Sequence, residues 1–403
     1  MILDALSPFG RAALAPLAGR TILQIVPSVH AGGDQRSTLA VAAALVESGA
    51  RALVASDAGG LGSEVQAVGG LHLPFPASSK NPLAMALNAR RLVPLLKSEG
   101  VDLVHARSLA SAWVALAACR KTNRPLVTTI LGEGPSAKPR STFESAVAEG
   151  DLVIVSSQPA AERAGEFFPA AMDRLRIVRP GLDLARLEPK AVIRQRVAKI
   201  RDGWAVAPHE RVVLAPRLAA APGQKLVIEV AALIKEHGLS DVRFVLAGEA
   251  AKPAVGRELD ALATARGVRG IVTRVDAPAD WPAAFVSASV VVFPASETEG
   301  VPRAAIEAAA TGALTIVADV GAAREIIAAP PQTPAEQRSG WLVPPGEAAA
   351  LAEAIETALA LGASARETFR QRARARIAEF YSLERMRRDT LGVYAEALQR
   401  EGS

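Results

Sequence analysis

The chain has 403 residues, enough for two or three domains of roughly 100–200 residues each, and a balance of 50% apolar, 22% charged and 4% aromatic residues that excludes a disordered chain. A single cysteine, Cys119, excludes an internal disulfide and a cysteine-rich metal site, and the five histidines (His30, His72, His105, His209, His237) show no metal-ligand spacing. A net charge of +5 favours anionic ligands such as phosphates, lipid headgroups or acidic sugars, and is too small to single out nucleic acid.

The first twenty residues carry Asp4 early and lack a basic start ahead of an apolar core, so they do not read as a secretion signal. No apolar run approaches the ~20 residues that span a bilayer. The expected location is the cytoplasm, with peripheral attachment to the inner face of a membrane as a further option. From residue 21 the pattern is strand, turn, helix, repeated. Strands are expected at 21–27, 52–56, 71–74, 101–105, 125–130 and 151–156, separated by stretches with apolar residues at three- and four-residue spacing. A second series, with strands at 211–216, 243–248, 288–294 and 313–318, restarts the arrangement. Nearly unbroken apolar strands fit parallel sheets covered on both faces. Residues 179–190 carry turn residues and no clean period. The expected fold is therefore α/β, with two Rossmann-like doubly wound domains, 1–185 and 186–380, facing a central cleft, and a closing C-terminal helix in 381–403. Ligands of such sheets bind beyond the carboxyl ends of the strands.

The most informative segment is 295–319, ASETEGVPRAAIEAAATGALTIVAD. After a strand ending at Pro294 the chain turns through Ser296 to Gly300 and enters a helix. Pro302 suits the first helical turn, where its missing N–H costs nothing, and Gly312 suits a left-handed end. The backbone around Gly300 and Val301 thus leads into a helix N-terminus just beyond a strand end, a ready anion site. Glu299 in the loop and Glu307 within the helix are acceptors suited to the hydroxyl groups of a sugar or ribose.

Glu299-Gly-Val-Pro, four residues and Glu307 resemble the E-x7-E signature of the family 4 glycosyltransferases, which have the two-domain GT-B fold. The resemblance implies that Glu299 contacts a donor sugar and Glu307 a nucleotide ribose. Gly312-Ala-Leu-Thr-Ile, Gly321-Ala-Ala-Arg-Glu325 and SGWLVPPGE (339–347) are also similar to later family elements, which places Glu325 at the nucleotide. The family's cations after the first C-domain strand correspond to Arg217 and to a position held here by Pro222, with Lys225 three residues further on as the candidate replacement. Arginine can chelate phosphate oxygens through its planar fork. In the N-domain, Gly32 and Gly33 permit close backbone approach to a phosphate or sugar. Gln35 stands where the family often has Glu, and Leu131 stands before Gly132 where the family has His.

The resemblance implies a transferase moving a sugar from a nucleotide diphosphate sugar to a cell-envelope glycan or lipid acceptor, such as a lipopolysaccharide or polysaccharide precursor, with retention. Glu299, Arg217 and Lys225 are the expected catalytic groups. Glu307, Gly300, Val301, Gly32, Gly33 and Glu325 are the expected donor-binding groups. No Asp-x-Asp pair offers a metal clamp, so no metal and no cofactor beyond the donor substrate is expected. Nucleic acid is not an expected partner. Arg107 at a strand end is a candidate acceptor or phosphate contact or, equally, a salt-bridged loop arginine. Lys80, Arg90, Arg91 and Lys97 give the N-domain a basic surface that reads first as a solvated helix face and second as one that could meet anionic lipid. Pro222, Leu131 and Gln35 keep an alternative open: a GT-B protein that binds a nucleotide, glycan or partner without turnover.

Overall fold

The computed structural model describes residues 17–27, 33–57, 61–79, 81–132, 142–216, 221–248, 253–294 and 303–401. The chain forms two compact units, the first from residues 1–181 with 383–403 and the second from 182–382. In the first unit the strands are β1 (Thr21–Ile25), β2 (Arg51–Ser56), β3 (Leu71–Pro74), β4 (Leu103–Ala106), β5 (Leu126–Thr129), β6 (Leu152–Val155) and β7 (Leu175–Ile177). Between them run helices α1 (Gly33–Glu47), α2 (Leu61–Ala67), α3 (Pro82–Ser98), α4 (Leu109–Thr122), α5 (Thr142–Ser145) and α6 (Gln158–Phe167). All strands pair in parallel, in the order β3-β2-β1-β4-β5-β6-β7. Neighbouring residues of one strand serve opposite faces. Ala52 and Val54 of β2 enter one core with Ile22, Leu45 and Leu103, whereas Leu53 and Ala55 enter another with Leu23, Met85 and Leu92. Helices cover both faces, so an alternating polar pattern is absent from the central strands.

The second unit opens with α7 (Leu184–Leu187) and α8 (Arg194–Gly203). Its sheet contains β8 (Arg211–Pro216), β9 (Val242–Gly248), β10 (Val272–Asp276), β11 (Val290–Phe293), β12 (Thr315–Ala318) and β13 (Trp341–Val343), in the parallel order β10-β9-β8-β11-β12-β13. The helices are α9 (Ala221–Glu236), α10 (Pro253–Ala265), α11 (Trp281–Ser287), α12 (Arg303–Ala310), α13 (Ala323–Ile326), α14 (Ala348–Leu359) and α15 (Ala363–Tyr381). The sequence reading lacked β7, β10 and β13. β7 and β13 have three residues each and β10 is half exposed, and all three lie at a sheet edge, so none offers the apolar run that marks a central strand.

The chain leaves the first unit between Gly181 and Leu182 and returns to it between Ser382 and Leu383. The last helix, α16 (Leu383–Glu401), packs on α1 of the first unit and buries Leu391, Val393, Tyr394 and Ala397 there. Two glycines show how tightly the units are built. Gly312 has φ +77°, the left-handed conformation expected at the end of α12. Gly340 is close-packed instead: a Cβ there would stand 2.6 Å from the Thr315 carbonyl oxygen and 3.1 Å from Ile327 Cδ1. Because the obstacle is backbone, Gly340→Ala is expected to cost about 1–3 kcal/mol. Thermal melting should register a fall of roughly 2–12 °C; an unchanged melting temperature refutes the packing argument.

Candidate functional site

In each unit the strand order reverses between two neighbouring strands, β1 and β4 in the first and β8 and β11 in the second. Such a switch point leaves a crevice at the carboxyl ends of the strands, because the helices on either side diverge. In the second unit Val290 and Val291 of β11 lie beside Val213 and Leu214 of β8, and both strands run toward the same end. Arg217 directly follows β8, and Glu299 lies in the loop from β11 into α12. The strands that precede both residues in sequence thus end at one switch point; Arg217, Glu299, Gly300 and Val301 themselves lie outside the described residues.

Glu307 is described, and its setting is unusual for a carboxylate. It is 8% exposed, on an α12 whose residues 304–310 are all buried. Five of those residues are alanine, which lets the helix approach its neighbours closely. Arg303, the first helical residue, places Nε 3.3 Å from Glu307 Oε1, one turn away, and both side chains make further interactions. A buried charge persists only when paired and hydrogen-bonded. The Arg303 guanidinium therefore gives this carboxylate a partner within the first turns of the helix. Glu325 is also buried, at 5% exposure, on the short α13 in contact with α12.

Lys225 sits in the second turn of α9, with Nζ 2.6 Å from Glu258 Oε1 on α10. Pro222 lies in the first turn of the same helix, where a residue without an N–H fits. The pair is partly exposed, and such bridges are worth about 0–1 kcal/mol, so Glu258 holds Lys225 only weakly. In the first unit Gly33 opens α1, while Gly32 lies outside the described residues. Gln35 donates from Nε2 to Glu64 on α2 at 2.7 Å. Leu131 follows β5 with half of its surface in solvent, and Gly132 after it takes φ +68°.

Sequence reasoning missed one cluster at the switch point of the first unit. His105 of β4 is 2% exposed and shares hydrogen bonds with Tyr394 Oη through Nδ1 and with Thr129 Oγ1 through Nε2, both at 2.7 Å. Burial, assisted by the Arg107 charge, holds His105 well below its usual value, so the imidazole is neutral. Arg107 donates to Gln24 Oε1 at 3.4 Å. The sequence signal was the placement of His105 and Arg107 at a strand end; nothing local pointed to Tyr394, 289 residues away.

A larger pocket of about 600 Å³ lies at the opposite, amino end of the first sheet, lined by Arg120, Arg124, Asp151, Arg174 and Arg400 among others. α4 and α16 both end there, and arginines near helix C-termini answer the negative end of the helix dipole. The pocket lies at the opposite end of the sheet from the switch point of its own unit.

Residues 31–186 match the family described as Glycosyltransferase Family 4, and residues 199–376 match Glycosyl transferases group 1. The chain belongs to the family 4 glycosyltransferases. Its two doubly wound parallel units are the GT-B fold of that family, and the protein is a transferase enzyme. The D-inositol 3-phosphate glycosyltransferase of Jonesia denitrificans is 28% identical over 312 residues, covering 73% of this chain and 71% of that protein. The enzyme of the same name from Xylanimonas cellulosilytica is 29% identical over 287 residues, covering 63% of this chain and 65% of its own, just under two thirds. Among solved structures, a glycosyltransferase from Rickettsia africae superposes with a TM-score of 0.81 at 25% identity, over 94% of this chain and 99% of that one. Anabaena Alr3699/HepE, solved with UDP, superposes with a TM-score of 0.74 at 21% identity, over 94% and 100% of the two chains, which speaks for the fold alone.

Proposed function

We propose that this glycosyltransferase moves a sugar from a nucleotide diphosphate sugar onto a hydroxyl of a cell-envelope glycan or lipid-linked acceptor, with retention, at the inner face of a membrane. The observation that carries the donor half is the pairing of Arg303 with the buried Glu307 at the start of the helix that follows β11, at the switch point of the second unit. A carboxylate paired there with a cation accepts hydrogen bonds from ribose hydroxyls, and the helix N-terminus beside it favours the diphosphate. In this reading Glu299 binds the donor sugar, and backbone groups of Gly300 and Val301 reach the phosphates. Arg217 takes the charge that develops on the leaving diphosphate as the bond from sugar C1 to the phosphate oxygen breaks. The acceptor oxygen bonds to C1 as that bond breaks, and its proton passes to the departing phosphate oxygen. Lys225, released from its weak bridge to Glu258, supplies a second cation, and Glu325 steadies the nucleotide side. Gly32 and Gly33, between β1 and α1 in sequence, let the backbone of the first unit come close to the donor's phosphate or sugar.

A second acceptor class is supported by the two relatives named above, both D-inositol 3-phosphate glycosyltransferases: a phosphorylated cyclitol. Arg107 at the first switch point is a cation suited to its phosphate. The test is calorimetric titration with UDP, GDP, ADP and CMP, UDP first because the Anabaena neighbour was solved with it. The matching nucleotide sugars are then incubated with D-inositol 3-phosphate or with a lipid-linked glycan, and nucleotide release is followed. Micromolar binding of one nucleotide with acceptor-dependent release is expected. Binding without release from any sugar or acceptor would favour the binding-only alternative, and absence of binding by all four would overturn the donor site.

A further inference from the structure

The pocket of about 600 Å³ at the amino end of the first sheet takes no part in the donor reading, and its walls are unevenly charged. Arg120, Arg124, Arg174 and Arg400 line it together with two acids, Glu149 and Asp151, so two guanidinium charges are left unbalanced. Neighbouring groups do not remove that excess. Arg120 reaches Glu149 at 3.2 Å, but the two side chains are 66% and 48% exposed, where water screens the attraction. Arg400 meets Glu396 at 2.8 Å, yet Arg176 already engages both oxygens of that carboxylate. Arg174 donates to the carbonyls of Gly150 and Ala170 at 2.5 and 3.2 Å, contacts that fix its fork without cancelling its charge. The Arg124 side chain makes no ion pair or hydrogen bond with any described residue.

Helix dipoles account for half of the set. Arg120 and Arg400 lie in the last turns of α4 and α16, where a cation is favoured. Arg124 lies beyond Asn123, the cap of α4, and Arg174 stands directly before β7. The remaining walls are mixed. Asp151 Oδ2 accepts from the Leu126 N–H at 2.7 Å, leaving Oδ1 without a hydrogen bond from any described residue. Leu116, Leu126 and Ala397 add apolar surface.

We propose that this pocket binds a small sugar phosphate, with the arginines on the phosphate and Glu149 and Asp151 accepting from the hydroxyl groups. A phosphate monoester carries about −1.5 to −2 charge near neutral pH, which matches the two unbalanced cations. Guanidinium forks fit phosphate oxygens in pairs. The carboxylates would repel a longer polyanion, but they are good acceptors for a sugar's hydroxyl groups. The volume suits a compact ligand, since small-molecule sites span roughly 300–1,000 Å³. Because α16 supplies Ala397 and Arg400, a bound phosphate fastens the last turns of that helix to α4 and to the starts of β5, β6 and β7.

The full chain is titrated by calorimetry with glucose 6-phosphate, inorganic phosphate and glucose, and amide hydrogen exchange is followed with and without the sugar phosphate. Glucose 6-phosphate is expected to bind at or below millimolar concentration, inorganic phosphate several-fold more weakly, and glucose not at all. Exchange should slow in the last turns of α4 and α16. Arg124→Glu should weaken binding about tenfold or more and Arg124→Lys several-fold at most, both melting with the parent. Arg107→Ala, altered at the first switch point, should bind the sugar phosphate as the parent does. A separate titration with UDP reports on the donor site, so either reading can fail alone. No binding of glucose 6-phosphate at millimolar concentration, protection that spares α4 and α16, or parent-like binding by Arg124→Glu overturns the proposal. Inorganic phosphate binding as tightly as the sugar phosphate overturns the role given to Glu149 and Asp151.

Discussion

Glu307→Ala is expected to weaken nucleotide binding by about tenfold to a hundredfold, because a hydrogen bond to a charged group contributes roughly 1.5–3 kcal/mol. The substitution adds a sixth alanine to the buried stretch of α12, which favours the helix. It also strips Arg303 of its carboxylate, and removing one partner of a part-buried pair is destabilising. A loss of affinity could then reflect a disturbed helix. Glu307→Gln separates the two effects. It keeps the shape and a carbonyl acceptor but removes the charge that holds both Arg303 and the ribose. The amide should recover most of the melting temperature while leaving affinity several-fold below the parent. Calorimetry with UDP, or with whichever nucleotide binds most tightly, reads the result. Parent-like affinity in both variants would remove Glu307 from the nucleotide site, whatever the melting curves show.

Much of the fold could be read from residues because the central strands are covered on both faces. β1, β2, β8 and β11 are runs of Val, Ile, Leu and Ala with hardly a polar break, and helical spacing lies between them. The same logic hides the edges. β10 carries Arg274 and Asp276 toward solvent and gives no apolar signal. Residues 382–400 read as a helix, and the helix forms, but an apolar stripe states only that one face is buried. Which sheet buries it is decided by the path of a chain that returns after a whole second unit. At the site, punctuation was informative: Pro302 and Gly312 bracket α12, and the left-handed Gly312 follows from the need to end a helix and start β12 within a few residues. The spacing of Arg303 and Glu307 is a helical turn and was legible in principle, whereas the bridge from Lys225 to Glu258 was not. That bridge depends on α9 and α10 lying side by side, a fact of sheet order. The His105 cluster was illegible for the same reason, on a longer scale.

That cluster carries the largest expected stability effect. A neutral imidazole has one donor and one acceptor nitrogen, and the hydroxyls of Tyr394 and Thr129 can each play either part, so either tautomer of His105 is satisfied. Tyr394→Phe leaves one buried ring nitrogen without its partner, at a cost of about 1–3 kcal/mol. Tyr394→Ala also removes a fully buried ring that packs edge-on to His105, and truncating a buried aromatic costs about 3–5 kcal/mol. In a unit of this size each kcal/mol moves the melting temperature by roughly 2–4 °C, so the alanine variant should melt roughly 6–20 °C lower. A pH series distinguishes the histidine from simple packing. The folded imidazole titrates well below the ordinary value of 6.5, so under mildly acidic conditions the unfolded chain takes up a proton that the native chain refuses. Stability is then full above pH ~6.5 and declines as pH falls toward the lower folded value, by up to about 1.4 kcal/mol per pH unit. His105→Leu removes this slope while keeping the site filled. Denaturant unfolding of parent and His105→Leu between pH 7 and pH 5, in steps, is the measurement. Equal slopes in the two proteins would mean that His105 is protonated as readily in the native fold as in the unfolded chain.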